Sequence, residues 1–209
     1  YLWDEKYKLI DASLDGFLTN PPKVLSATHS YNVNYTALCY LLMAHAKRRK
    51  AEEFLNWRWK PSGVKAPLKK VTRLLGPAAQ TYESLSGNQE CDSRVRAVAF
   101  HGRGIVEGLW CEIEEIRHMR KKCVHNPEPR WASAFALFSQ SAKISEHNQL
   151  SYSPPYNRLA YIESWRSVRA HRMSRPIEEH AHLVDCIRYA RRATELSRED
   201  GEPTYAPPL

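Results

Sequence analysis

At 209 residues, 43% hydrophobic and 26% charged, the chain has the composition of an ordinary globular protein. It is long enough to bury a sizeable core in one or two domains. A net charge of +8 and a pI near 9.3, with Arg outnumbering Lys, point to phosphate partners, nucleic acid before an anionic membrane surface. No apolar run approaches the ~18 residues of a membrane span. Five scattered cysteines without paired spacing argue against a disulfide framework, and the absence of Cys-x-x-Cys or His-Glu-x-x-His argues against a zinc site, so neither metal nor cofactor is expected.

Residues 4–18 read as a helix, with Asp4 as cap and Ile10, Leu14, Phe17 and Leu18 as its apolar stripe, ended by Asn20-Pro21-Pro22. Residues 23–33 are open between an extended and a helical reading. Asn34 is placed to cap a long helix over about 35–57, with Leu38, Leu41, Leu42, Phe54 and Leu55 as apolar positions. In its middle runs Lys47-Arg48-Arg49-Lys50. Four successive charges circle a helix, so part of the run projects away from the core, either as a phosphate-contacting patch or as a solvated face. Trp57 and Trp59 follow and suit either base stacking or core packing. The breakers from Pro61 to Pro67 divide an N-terminal helical pair, residues 1–60, from a helical bundle, residues 67–200. Residues 68–75 predict a short helix with Lys69, Lys70 and Arg73 facing out, stopped by Gly76-Pro77, which open the next helix.

Asp92 or Ser93 is expected to cap the helix that leads to the most informative stretch. Gly102, Gly104 and Gly108 mark a kink, a break or close helix packing within it. Ile105, Leu109, Ile113, Ile116 and Cys123 recur at three- and four-residue steps on one face. Glu112, Glu114 and Glu115 precede Arg117, Arg120, Lys121 and Lys122, the order a helix dipole favours. Asn126 and Pro127 stop the helix, which puts His125 at its C-terminal end. Four Arg-x4-His pairs occur, Arg96/His101, Arg120/His125, Arg166/His171 and Arg175/His180, and only the second lies before Asn-Pro.

Trp110, Ile113, Ile116, Arg117, Arg120 and His125 together resemble the Trp/Arg/His segment of the HEPN family, all-helical domains of which many are metal-independent ribonucleases acting as dimers. The resemblance covers about residues 93–200. It implies that Arg120 binds the scissile phosphate and that His125 transfers a proton; Lys121 stands where the family usually carries a small polar residue. Lys47, Arg48, Arg49, Lys50, Arg117, Lys121, Lys122, Asn126, Arg188, Arg191 and Arg192 are the candidate RNA contacts.

Further along, Trp131, Phe135, Phe138 and Ala142 form a helical stripe, and residues 145–156 read as a polar loop, a candidate lid. The next helix carries Leu159, Ile162, Trp165 and Val168 on one side and Arg158, Arg166 and Arg169 on the other. Pro176 opens the last helix, with Ile177, Ala181, Val184, Ile187 and Leu196 as its apolar side and Arg188, Arg191 and Arg192 as its basic side. Residues 201–209 hold three prolines and predict an extended or disordered tail. No segment alternates at period two, so the expectation is an all-α bundle of six to eight helices. Two functions fit. One is an RNA-binding, metal-independent endoribonuclease acting on single-stranded RNA as a homodimer or with a partner. The other is a non-catalytic component of a ribonucleoprotein assembly, such as a viral nucleoprotein-like domain or an organellar ribosome protein. A chain beginning Tyr-Leu-Trp fits a fragment or a processed protein, intracellular in the cytoplasm or in an organelle.

Overall fold

A computed structural model describes residues 29–56, 68–121 and 126–199, and the side chains within them except those of 29–32, 56, 118–121 and 199. The expected helix at 4–18, Trp57 and Trp59, the boundary at 61–67 and the tail at 201–209 lie outside the described residues. Within them the protein is a helical bundle without strands: α1 His29–Asn56, α2 Leu68–Gly87, α3 Ser93–Lys121, α4 Glu128–His147, α5 Pro154–Arg172 and α6 Pro176–Glu199. One apolar core runs through all six, from Ala37 of α1 to Leu196 of α6, with Tyr82, Ile113, Leu159 and Ile162 among its fully buried side chains.

Two helices run further than expected. α1 begins at His29, so Asn34 lies inside it; its Oδ1 accepts the backbone N–H of Asp92 at 2.8 Å, across to α3. α2 does not break at Gly76-Pro77 but continues to Gly87. A proline inside a helix costs about 3 kcal/mol. The buried stripe Val71, Leu75, Ala78, Tyr82 and Leu85 keeps one period across that point, and each large side chain contributes about 1.5–3 kcal/mol on burial. Packing therefore outweighs the proline.

α3 is also unbroken, and its glycines serve close packing rather than a kink. A Cβ on Gly102 would sit 2.5 Å from the Tyr82 ring of α2, and one on Gly104 2.5 Å from the Phe138 ring of α4. Asp92 caps the helix through Oδ1, which accepts the N–H of Arg94 at 2.7 Å. Ile105, Leu109, Ile113 and Ile116 are buried as their spacing predicts; Cys123 lies outside the described residues. Against this face lies α4, joined to α3 by Arg130, which donates to Glu107 and to Glu114, both at 2.8 Å. These carboxylates raise the Arg130 pKa.

The expected 145–156 loop is shorter than its composition implied. α4 reaches His147 and α5 starts at Pro154, with both prolines in the first turn, where a missing N–H costs nothing. Gln149 ends α4 at φ 52°, and the N–H of Leu150 returns to the Ser145 carbonyl at 2.8 Å. Ser174, at φ 55°, makes the equivalent turn between α5 and α6, with Arg175 N–H on the Ala170 carbonyl at 3.0 Å.

The apolar side assigned to α6 is corrected. Ile177, Ala181, Val184 and Ile187 face solvent, Ile177 at 86% exposure, and only Leu196 of that set is buried. The body-facing stripe is His182, Cys186, Tyr189, Ala193 and Leu196. It is fixed by the His182–Glu163 contact at 2.6 Å and by Tyr189 packing on Phe135. Val168 of α5, expected in the core, is likewise exposed.

Candidate nucleic-acid interface

α1 and α2 are antiparallel. Tyr82 pairs with His45 Nδ1 at one end of the hairpin, and Lys70 Nζ lies 5.8 Å over the Phe54 ring at the other. This pairing brings residues 47–55 of α1 beside the first turns of α2. The two segments hold seven cations, Lys47, Arg48, Arg49, Lys50, Lys69, Lys70 and Arg73, against two carboxylates, Glu52 and Glu53. Arg49, Lys69, Lys70 and Arg73 are exposed and Lys47 is half-buried. The N-terminus of α2, which has no acidic residue in its first turn, adds its helix dipole to the same surface.

Arg48 leaves this set. Its side chain is buried at 7% exposure and hydrogen-bonds Glu52 one turn on, so it is no surface contact for RNA. A four-residue run must turn one member inward, and Glu52 at i+4 selects Arg48. Around it lies a polar network spanning the helices. Burial, with Arg48 and Arg49 close by, pushes the His45 pKa down to about 4 and leaves a neutral imidazole against the Tyr82 phenol, whose own pKa burial pushes up to about 12. His101 of α3 meets the Tyr152 hydroxyl at 3.1 Å, and its pKa is lowered well below the usual value by burial and then by Arg158, Arg48 and His45. Sequence reading missed this network because its members are scattered over four segments. The spacing Lys69-Lys70-x-x-Arg73 was the available signal for the α2 half of the surface.

α3 runs antiparallel to α2, with Gly102 against Tyr82 and Arg103 on Glu83, so its last turns return toward the N-terminus of α2, and Arg117 there is exposed. The side chains of Arg120 and Lys121, and all of Lys122 and His125, lie outside the described residues. Asn126 is described: its Oδ1 accepts the N–H of Glu128 at 3.2 Å and Arg169 Nη2 at 3.4 Å, so it caps α4 and ties the chain leaving α3 to α5. Beside it opens a cavity of about 410 Å³ lined by Glu128, Arg166, Arg169, Arg175, Glu178 and His182. Its arginines are largely neutralised. Glu128 takes both Arg166 at 2.9 Å and Arg169 at 3.3 Å, Arg175 meets Glu178 at 3.3 Å, and the buried Glu163 accepts from Arg166 at 2.9 Å.

The basic side of α6 divides in the same way. Arg188 pairs with Asp185 at 3.0 Å and lies over the Tyr189 ring, and Arg192 pairs with Glu195 at 3.2 Å. Arg191 is exposed and has no ion pair among the described residues. Anions compete with carboxylates at the cavity and along α6; at the α1–α2 end Glu52 takes Arg48 and, at 3.4 Å, Arg49, while Lys69, Lys70 and Arg73 of α2 have no ion pair among the described residues. Compared with protein families, curated proteins and solved structures, the chain matches none. Among the described residues no group of three or more His, Cys, Asp or Glu could hold a metal ion, and no helix is long and apolar enough to cross a membrane.

Proposed function

We propose that the chain binds single-stranded RNA through its phosphates, with Lys47, Arg49, Lys50, Lys69, Lys70 and Arg73 as the principal contacts. Arg117 extends the same charge. The observation that carries this reading is the excess of cations over carboxylates at the α1–α2 end, seven against two, whereas the arginines of the cavity of about 410 Å³ and Arg188 and Arg192 of α6 each meet a carboxylate. Each phosphate contact releases counterions, so affinity should fall with salt by about 0.7 log units per log unit and contact. Changing Lys69, Lys70 and Arg73 together to Gln should weaken binding of an RNA decamer and reduce that slope by about two. Arg188→Gln with Arg192→Gln should change it little. A slope unmoved by the α2 variant would overturn the reading.

The HEPN resemblance extends this to cleavage without metal. Arg120 would stabilise charge on the phosphate and His125 would move the proton at the 2′-hydroxyl or the leaving oxygen, in a homodimer or with a partner. His125→Ala should abolish cleavage and leave binding nearly intact. If the wild-type protein cuts no RNA, the cleavage reading falls and a non-catalytic ribonucleoprotein component in the cytoplasm or an organelle remains. The solvent-facing Ile177, Val184 and Ile187 of α6 suit that alternative, since apolar residues grouped on one helix face are characteristic of assembly surfaces.

A further inference from the structure

Between α1, α3, α4 and α5 lies a second cavity of about 280 Å³, small for a ligand site and suited to one ring system. Gly108 of α3 puts no side chain into it, and Gly104, one turn back, lies under the Phe138 ring. Trp131 and Phe138 of α4 and Tyr161 of α5 supply flat walls. The Trp131 and Tyr161 rings stand 5.9 Å apart, inclined at 60°, and Tyr161 is 55% exposed, unusual for a large aromatic that serves only packing. The indole N–H of Trp131 is buried and has no hydrogen-bond partner among the described residues. Such a donor is normally satisfied by a bound group or by water.

The charged groups of the lining are Arg158, Glu52 and Glu112. Arg158 makes no hydrogen bond or ion pair among the described residues. Glu52 is already engaged by Arg48 and Arg49, and through Arg49, at 3.4 Å, the cavity adjoins the basic surface of α1 and α2. Glu52 and Glu112 both have partners, so Arg158, beside a positive surface, is the charge placed to meet an aromatic ring that carries phosphate. We infer that this cavity receives one nucleobase of the strand whose phosphates lie on the α1–α2 surface. The base packs against Trp131 and Tyr161, and Arg158 meets its phosphate or its polar edge. The inference rests on the phosphate-binding reading above and adds a base-holding step to it.

The glycines supply the test. A Cβ at Gly108 would meet Trp131 at 3.6 Å, ordinary contact, so Gly108→Ala is accommodated, whereas Gly108→Leu fills the space a base would take. Binding of the full chain to a fluorescent RNA decamer and to an abasic ribose-phosphate decamer of equal charge should differ by about tenfold in favour of the bases. Gly108→Leu should bring that ratio close to one without changing the salt slope, and Gly108→Ala should keep it. Tyr161→Ala, a change at an exposed side chain, should also collapse the ratio, which guards against misfolding of the leucine variant. Equal binding of the two decamers by the wild type, or a ratio indifferent to both Gly108→Leu and Tyr161→Ala, overturns the inference and leaves phosphate binding standing. Failure to bind either decamer overturns both.

Discussion

Replacing Gly104 by Ala should destabilise the protein, although alanine is the better helix former by about 1 kcal/mol. The added methyl carbon would lie 2.5, 2.7 and 2.8 Å from three atoms of the Phe138 ring, separations that Cβ atoms do not tolerate. Phe138 is 2% exposed and cannot swing clear, because the His101 ring packs beside it at 5.5 Å. Overpacking of this kind costs about 1–3 kcal/mol. The propensity gain offsets about 1 kcal/mol of it, leaving a net loss of up to about 2 kcal/mol, or up to several degrees in Tm for a chain of this size. Gly108→Ala, one turn on and uncrowded, should instead stabilise by up to about 1 kcal/mol. Urea unfolding of the two variants provides the comparison, and Gly104→Ala combined with Phe138→Leu should be less damaged than the two single changes sum to. If Gly104→Ala unfolds at higher urea than the wild type, the α3–α4 contact is looser than described and the reasoning fails.

The two helix ends held in left-handed conformation predict the opposite sign. Gln149→Gly and Ser174→Gly should each stabilise by roughly 1 kcal/mol, since glycine adopts that conformation without a Cβ penalty; a loss of stability in thermal melts would contradict this. A pH effect follows from His45 and His101, whose folded pKa values lie below the ~6.5 of an unfolded histidine. As pH falls through 6.5 the unfolded chain takes up protons that the folded one refuses. The stability of the neutral state is therefore complete above about pH 6.5 and is lost toward pH 4, by up to about 1.4 kcal/mol per pH unit for each histidine. Urea midpoints at pH 7.5 and 5.5 should differ accordingly, and His45→Asn should reduce the difference; equal midpoints in the wild type would contradict it. Cys111, its thiol pushed up to about 12 by burial and then by Glu115, Glu114 and Glu112, should resist alkylation at pH 8 until the protein unfolds, as peptide mapping would report.

The all-helical class and the buried face of α3 were legible because Ile105, Leu109, Ile113 and Ile116 offer one period and no rival. α6 offered two. Its run of Ile177, Val184 and Ile187 is the more apolar, yet the face carrying His182, Tyr189 and Leu196 is the one that packs, and that choice depends on Glu163 and Phe135 in other helices. Pro77 and Gly76 read locally as a stop, and a burial stripe spanning both sides of them prevailed. In the candidate site the basic character of residues 47–50 was visible, but not that Arg48 turns inward. Ion pairs such as Arg188–Asp185 and Arg192–Glu195 are spaced at i, i+3 and could have lowered the standing of those two arginines from sequence alone. The cavity walled by Trp131 and Tyr161 unites residues thirty positions apart and has no signature in the linear chain.

The bond from Asn34 to the amide of Asp92 has a bearing on how the bundle comes together. A helix that closes its own first turn usually places Glu or Gln three residues past its cap, and α3 has Val95 there. The group that completes its start comes from fifty-eight positions upstream. The beginning of α3 therefore stays open until α1 has docked, and protection of the Asp92 amide against deuterium reports the arrival of α1 rather than the winding of α3 itself.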